Sequence, residues 1–185
     1  VTRIVAGEYG GRRLKVPAGD RTRPTSDRVR EALFSTLESL TDLDGARVLD
    51  LYGGSGAVGL EARSRGAAHV QLVESDPAVL RVLRANVAAL DLAGEVQVSA
   101  AKVAAALAVR PAAPYDVVFL DPPYATPTPE VDAALAALAA GWLAPDAVVA
   151  VERSSRTPDL SWPAGIEAHA TRRYGETAVW YGRRS

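Results

Sequence analysis

The chain has 185 residues, a length that suits one domain with a single substantial core. Its 48% hydrophobic content leaves no segment apolar-poor enough to read as disordered, and a net charge of −1 excludes a global field drawing it to an anionic partner. The absence of Cys excludes disulfides, thiolate zinc sites and a thiol nucleophile and fits a reducing, cytoplasmic setting, while His69 and His169 lie too far apart in sequence for a His-rich metal site.

The charge is uneven. Residues 1–30 hold eight basic and three acidic groups, so a +5 end precedes a remainder of about −6. Here Arg3-Ile4-Val5-Ala6-Gly7 and Arg12-Arg13-Leu14-Lys15-Val16 read as two short strands around Gly10-Gly11, a β-hairpin. Residues 1–24 are therefore taken as a basic hairpin extension and 25–185 as the main domain. A helix follows over 27–40, with Val29, Leu33, Leu37 and Leu40 on one stripe and Thr25 or Ser26 as its cap. From residue 47, strands at 47–52, 69–75, 95–99, 115–120 and 147–152 alternate with helices at 57–65, 77–90, 102–109 and 129–143. In the last helix Val131, Leu135, Leu138 and Trp142 share a face, and Thr128 is expected to cap it ahead of Pro129; Asp76 before Pro77 repeats the arrangement. Such alternation implies an α/β fold with a parallel sheet covered on both faces. Residues 166–174 and 177–181, joined near Gly175-Glu176, read as an antiparallel hairpin. No signal-peptide pattern and no membrane-spanning apolar run is present.

The first strand runs into a glycine turn and a helix start: Asp50-Leu51-Tyr52-Gly53-Gly54-Ser55-Gly56-Ala57-Val58-Gly59. Gly54, Gly56 and Gly59 match G-x-G-x-x-G, and Glu74 follows about 20 residues later at the end of the second strand, as in a dinucleotide site. Without Cβ atoms the loop admits a ligand close to its backbone, and the Glu74 carboxylate can accept hydrogen bonds from ribose hydroxyls. The fingerprint alone does not separate a nicotinamide cofactor from S-adenosylmethionine. Asp50 does: a carboxylate is unfavourable beside a pyrophosphate and favourable beside an ammonium and a sulfonium. The plainer alternative is a tight βα turn that binds nothing. Asp76 reads as a helix cap rather than a ligand. Ser55 is no elbow nucleophile, because Ala57 breaks G-x-S-x-G and no His stands ready to activate it.

The fourth strand, Tyr115-Asp116-Val117-Val118-Phe119-Leu120, is apolar enough to be central and leads into Asp121-Pro122-Pro123-Tyr124. The two prolines fix φ and remove two donors. What remains is a rigid pair of acceptors, the Asp121 carboxylate and the Pro122 carbonyl. Gripping both N–H bonds of an exocyclic base amine would align its lone pair for methyl transfer, by positioning and electrostatics. Tyr124 offers a face on which a flipped base can stack. The plainer alternative is a strand that simply ends at a polar turn.

At these residues the chain resembles the class I methyltransferases, and more closely the RsmD-type bacterial 16S rRNA guanine-N2 methyltransferases. The resemblance also rests on Arg3-Ile4-Val5-Ala6-Gly7, Gly11-Arg12-Arg13-Leu14, and Arg23-Pro24-Thr25 through Asp27-Arg28-Val29-Arg30-Glu31-Ala32-Leu33-Phe34, and it spans nearly the whole chain. It implies a Rossmann-like, mostly parallel seven-stranded sheet with an antiparallel last strand. It implies a cytoplasmic monomer, free of metal and membrane, that methylates one guanine N2 in the 16S rRNA of the 30S subunit or an assembly intermediate. Adenine-N6 methylation of DNA or another RNA is the alternative. Catalytic residues are then expected at Asp121, Pro122, Pro123 and Tyr124. The S-adenosylmethionine contacts fall at Asp50, Tyr52, Gly53, Gly54, Ser55, Gly56, Glu74, Ser75 and Ala101. RNA contacts fall at Arg12, Arg13, Lys15, Arg23, Arg28 and Arg30. The sequence departs from the family after the third strand, where an Asp or Asn usually holds the adenine amine and Ser99-Ala100-Ala101 stands here.

Overall fold

The computed structural model describes residues 2–19 and 26–185. Its elements run α1 (Asp27–Leu40), β1 (Arg47–Leu51), α2 (Ala57–Ser64), β2 (His69–Glu74), α3 (Pro77–Ala89), β3 (Val96–Ala100), α4 (Val103–Leu107), β4 (Tyr115–Leu120), α5 (Thr128–Gly141), β5 (Leu143–Ser154), β6 (Ile166–Tyr174) and β7 (Thr177–Arg184). They form one seven-stranded sheet in the order β3-β2-β1-β4-β5-β7-β6. Strands β1 to β5 pair in parallel, and β7 lies antiparallel between β5 and β6. The order reverses at β1, with β2 on one side and β4 on the other. An open sheet leaves a crevice for ligands at the carboxyl ends around such a point.

Each face of the sheet has its own core. Leu33, Phe34 and Leu37 of α1, Leu60 of α2 and Leu83 of α3 close one face over Val48, Leu72 and Phe119. Leu107 of α4 and Val131, Leu135 and Leu138 of α5 close the other over Leu49, Val118 and Val149, with Trp142 at the end of α5. The central strands are therefore apolar on both sides, as buried parallel strands are.

Several local expectations change. The amino-terminal hairpin reduces to a single bridge, Arg3 with Arg13, flanked by hydrogen bonds from Ile4 N to Arg12 O (2.9 Å) and from Leu14 N to Thr2 O (2.9 Å). Its turn is wider than Gly10-Gly11, because Gly7 and Gly11 both adopt positive φ. Ile4 and Leu14 are buried in the α1–α3 core. On α1, Leu33 and Leu37 are buried while Val29 and Leu40 are half-buried; Arg30 and Phe34 complete the inward face. Ser26 caps that helix, its Oγ accepting from Val29 N at 3.2 Å. Thr128 does not cap α5: the extended residue at that position is Pro127, which has no side-chain acceptor, and Thr128 is already helical. Strand β5 starts four residues before the expected 147, since a register shift against Tyr115 and Val117, with Asp146 at φ 62°, lets it bulge and continue.

Candidate active site

A cleft of about 700 Å³ opens at the carboxyl ends of β1, β2, β4 and β5. Every expected catalytic residue lines it: Asp121, Pro122, Pro123 and Tyr124. So do Asp50, Tyr52, Gly53, Gly54, Ser55, Glu74, Ser75 and Ala101 from the expected cofactor set. Gly56 does not. It precedes α2 at φ 87°, and a Cβ there would lie 2.5 Å from Leu83 Cδ1, so the lack of a side chain at this position serves helix packing. Gly59 is similar, since a Cβ would lie 2.3 Å from Leu72 Cδ2.

The glycine loop is held from both sides. Asp50, almost fully buried, accepts from Gly59 N at 3.0 Å, which fixes the start of α2 against the end of β1. Glu74 accepts from Gly54 N at 3.0 Å through one oxygen, and from Ser75 N (2.9 Å) and Asp76 N (3.0 Å) through the other. Asp76 caps α3, accepting from Ala78 N at 2.9 Å and Val79 N at 3.2 Å. Buried Asn86 donates to Ser55 O (2.8 Å) and Lys15 O (2.9 Å) and accepts from Lys15 N (2.8 Å). One amide thus joins the loop, α3 and the amino-terminal segment. Tyr52 takes a left-handed backbone, φ 62°, rare for a bulky residue and often found at functional sites. Its hydroxyl is buried with no hydrogen-bond partner among the described residues.

After the third strand, the Ser99 hydroxyl accepts from Gln71 Nε2 at 2.9 Å and does not line the cleft. Ala101, Lys102 and Val103 line that end instead.

At the β4 turn, Arg153 donates to Pro123 O (3.4 Å) and Thr126 O (2.9 Å), and Thr126 N donates to Pro123 O (2.9 Å). The turn is pinned from β5 as well as stiffened by its prolines. Tyr124 is 61% exposed, so its ring stands open at the mouth. Burial pushes the Asp121 carboxyl well above the usual carboxylate range, the charges of Glu152 and Asp50 push it further, and Arg153 opposes them. Burial likewise raises Asp50, with Glu74 adding to the effect and the Gly59 N–H offsetting part of it.

Glu152, Arg153, Thr126 and Tyr174 also line the cleft and were not anticipated. Glu152 and Arg153 end an apolar strand with no motif around them; only the charge pair after Val149-Ala150-Val151 could have pointed there.

The expected RNA contacts divide. Arg12, Arg13, Lys15 and Arg28 are exposed. Arg23 lies outside the described residues. Arg30 is completely buried: it donates to Arg3 O and to Asp27 Oδ1 (3.0 Å) and pairs with buried Glu61 at 3.4 Å. Its charge is spent inside the protein, so in this fold it faces no RNA.

The family described as conserved hypothetical protein 95 matches residues 2–183. The chain belongs to this family. Among curated relatives, ribosomal RNA small subunit methyltransferase D of Escherichia coli strain K12 is 39% identical over 176 residues, covering 95% of this chain and 86% of that one. The protein of the same name from Haemophilus influenzae is 35% identical over 158 residues, covering 84% and 80%. Among solved structures, yhhF from Escherichia coli superposes with a TM-score of 0.87 at 36% identity, covering 99% of this chain and 97% of that one. Membership extends over the basic amino-terminal segment, the glycine loop and the Asp121 turn together. No group of three or more His, Cys, Asp or Glu is placed to hold a metal ion among the described residues. No helix among them is long and apolar enough to cross a membrane.

Proposed function

We infer that this family member transfers a methyl group from S-adenosylmethionine to an exocyclic amine of a base in small-subunit ribosomal RNA, the N2 of one guanine. The observation that carries the reading is one cleft shared by the glycine loop with Glu74 and the proline-stiffened acceptors after β4. The names of the relatives support RNA of the small subunit as the substrate.

The lining suits a cationic donor. Among the described lining residues, seven acidic side chains (Asp50, Glu74, Asp76, Asp121, Glu130, Glu152, Glu176) face two cations, Lys102 and Arg153. An anionic pyrophosphate would be repelled by that balance, whereas an ammonium and a sulfonium are drawn to it. Asp50 and the Gly53–Gly54 backbone would hold the amino-acid end, Glu74 the ribose, and Ser75 and Ala101 the purine. Both Glu74 oxygens already accept from backbone amides, but a carboxylate has about four acceptor sites and room for more. When bound, S-adenosylmethionine supplies a methyl carbon attached to positive sulfur and open to a lone pair.

The chain's own groups do the rest. The Asp121 carboxylate and Pro122 carbonyl accept the two amine N–H bonds and direct the lone pair into the cleft. Once methylated the nitrogen is acidic, and Asp121 Oδ or water takes its surplus proton. Tyr124 receives the flipped base on its exposed ring. Residues 1–24 act as a basic extension of the methyltransferase unit 25–185, presenting Arg12, Arg13 and Lys15 to phosphates beside the cleft, with Arg28 at its rim.

Transfer of labelled methyl to undermethylated 30S particles, followed by nucleoside analysis, tests the reading. N2-methylguanine is the expected product. Label in another nucleoside, or in duplex DNA and not in the particles, overturns it.

A further inference from the structure

The strand register sets two carboxylates side by side at the catalytic end of the cleft. Leu120 of β4 is paired with Val151 of β5, so the next residues along these parallel strands, Asp121 and Glu152, are neighbours. Both line the cleft. Glu152 is nearly buried. Arg153, the residue after it, pins the Asp121 turn through Pro123 O and Thr126 O, so β5 and the turn move as a unit and the spacing of the two acids is fixed. The field of Glu152 is felt at Asp121, whose carboxyl it raises.

Two adjacent carboxylates match one purine edge. Guanine carries its 2-amino group beside a ring N1–H, two donors in a row. An adenine amine lies beside a bare N1, a lone pair that an ionised carboxylate repels. We propose that Glu152 determines which purine is accepted, by taking the N1–H of guanine while Asp121 holds the neighbouring amine. Any hydrogen bond that Glu152 makes within the protein leaves it further acceptor sites. The proposal rests on the base-amine methylation inferred above.

2,6-Diaminopurine separates the two contacts, because it keeps the 2-amino group and replaces N1–H with a lone pair. Small-subunit particles are assembled from ligated rRNA with guanine or 2,6-diaminopurine at the methylated position, and kcat/KM for transfer to the 2-amino group is measured. Sites built to bond a specific donor reject analogues lacking it strongly, so the wild-type protein should prefer guanine by about 100-fold or more. Glu152→Gln, whose amide can donate to a bare N1 as well as accept from N1–H, should bring the preference within about tenfold, mainly by gaining on diaminopurine. A purely structural role would lower both rates together and leave their ratio alone. Equal wild-type rates overturn the proposal, as does a Glu152→Gln ratio like that of the wild type. If Glu152→Gln does not fold, Glu152→Asp decides: withdrawing the carboxylate should shrink the preference, and an unchanged ratio overturns the proposal. Failure of the wild type to methylate either purine overturns the base-methylation reading itself, and this proposal with it.

Discussion

In the function proposed above, Asp121 combines a structural cost with a catalytic use. Its carboxyl is raised by burial, by Glu152 and by Asp50, yet it accepts protons only when ionised. The acid limb of the kcat/KM profile should therefore lie above the ordinary Asp range, and Asp121→Asn should abolish that limb along with most activity. A loss of about 10²–10³ in kcat is expected, as for removal of one preorganised catalytic group. Calorimetry should show S-adenosylmethionine still binding to the variant. Stability follows the same sign. Between 3.8 and the raised values of Asp50 and Asp121, the folded protein holds protons that the unfolded chain has released. Stability should thus fall as pH rises through that window, and Asp50→Asn should flatten the fall in a melting-temperature series. Asp50, Glu74 and Asp121 were legible in the sequence because each stands where an apolar run meets a turn. Arg30 was not, because a basic residue among other arginines reads the same whether it faces solvent or a buried glutamate. Glu152 was not, because its place beside Asp121 comes from the pairing of two strands, Leu120 with Val151, far apart in the chain.

Among the elements, α2 is the hub. Glu61 is fully buried and accepts from Val5 N (2.8 Å), Ala6 N (3.1 Å) and Arg65 Nε (2.9 Å), besides pairing with Arg30. Removing one partner of a buried pair leaves the other uncompensated, at about 3–5 kcal/mol. Glu61→Ala should cost stability in that range by urea titration. Asn86→Ala should cost about 1–3 kcal/mol for unpaired buried groups, and it should weaken S-adenosylmethionine binding without touching the ligand, because the Ser55 carbonyl loses its tie to α3. Periodicity located the elements closely: α1 and β4 begin and end where the pattern puts them. It failed where a local device replaced a side-chain signal, as at the β5 bulge and the Pro127 cap. Only the Glu61–Arg65 pair, four residues apart on one helix, follows a short-range pattern; the bonds from Val5 and Ala6 to Glu61, and from Asn86 to Lys15, join residues more than fifty positions apart.

At the scale of the molecule, charge is divided by place. The described lining of the cleft is acidic, and the exposed basic residues of the amino-terminal segment lead to its rim, where Val16 and Pro17 form part of the wall. Reversing Arg12 and Arg13 to Glu should weaken binding to undermethylated particles and reduce the magnitude of the salt slope by about 1–2 units. A nitrocellulose filter titration at several salt concentrations reads both. The Arg12 guanidinium also donates to Ala89 O at 2.8 Å, so a melting curve of the variant separates lost RNA contact from lost packing. The position of Glu61 has a consequence for how the polypeptide is made. Val5 and Ala6 emerge from the ribosome 56 and 55 residues ahead of the carboxylate that satisfies their amides. The segment holding Val5 and Ala6 must wait, unsecured, until the helix carrying that carboxylate has been synthesised, so cotranslational folding should show no stable docking of that segment before then.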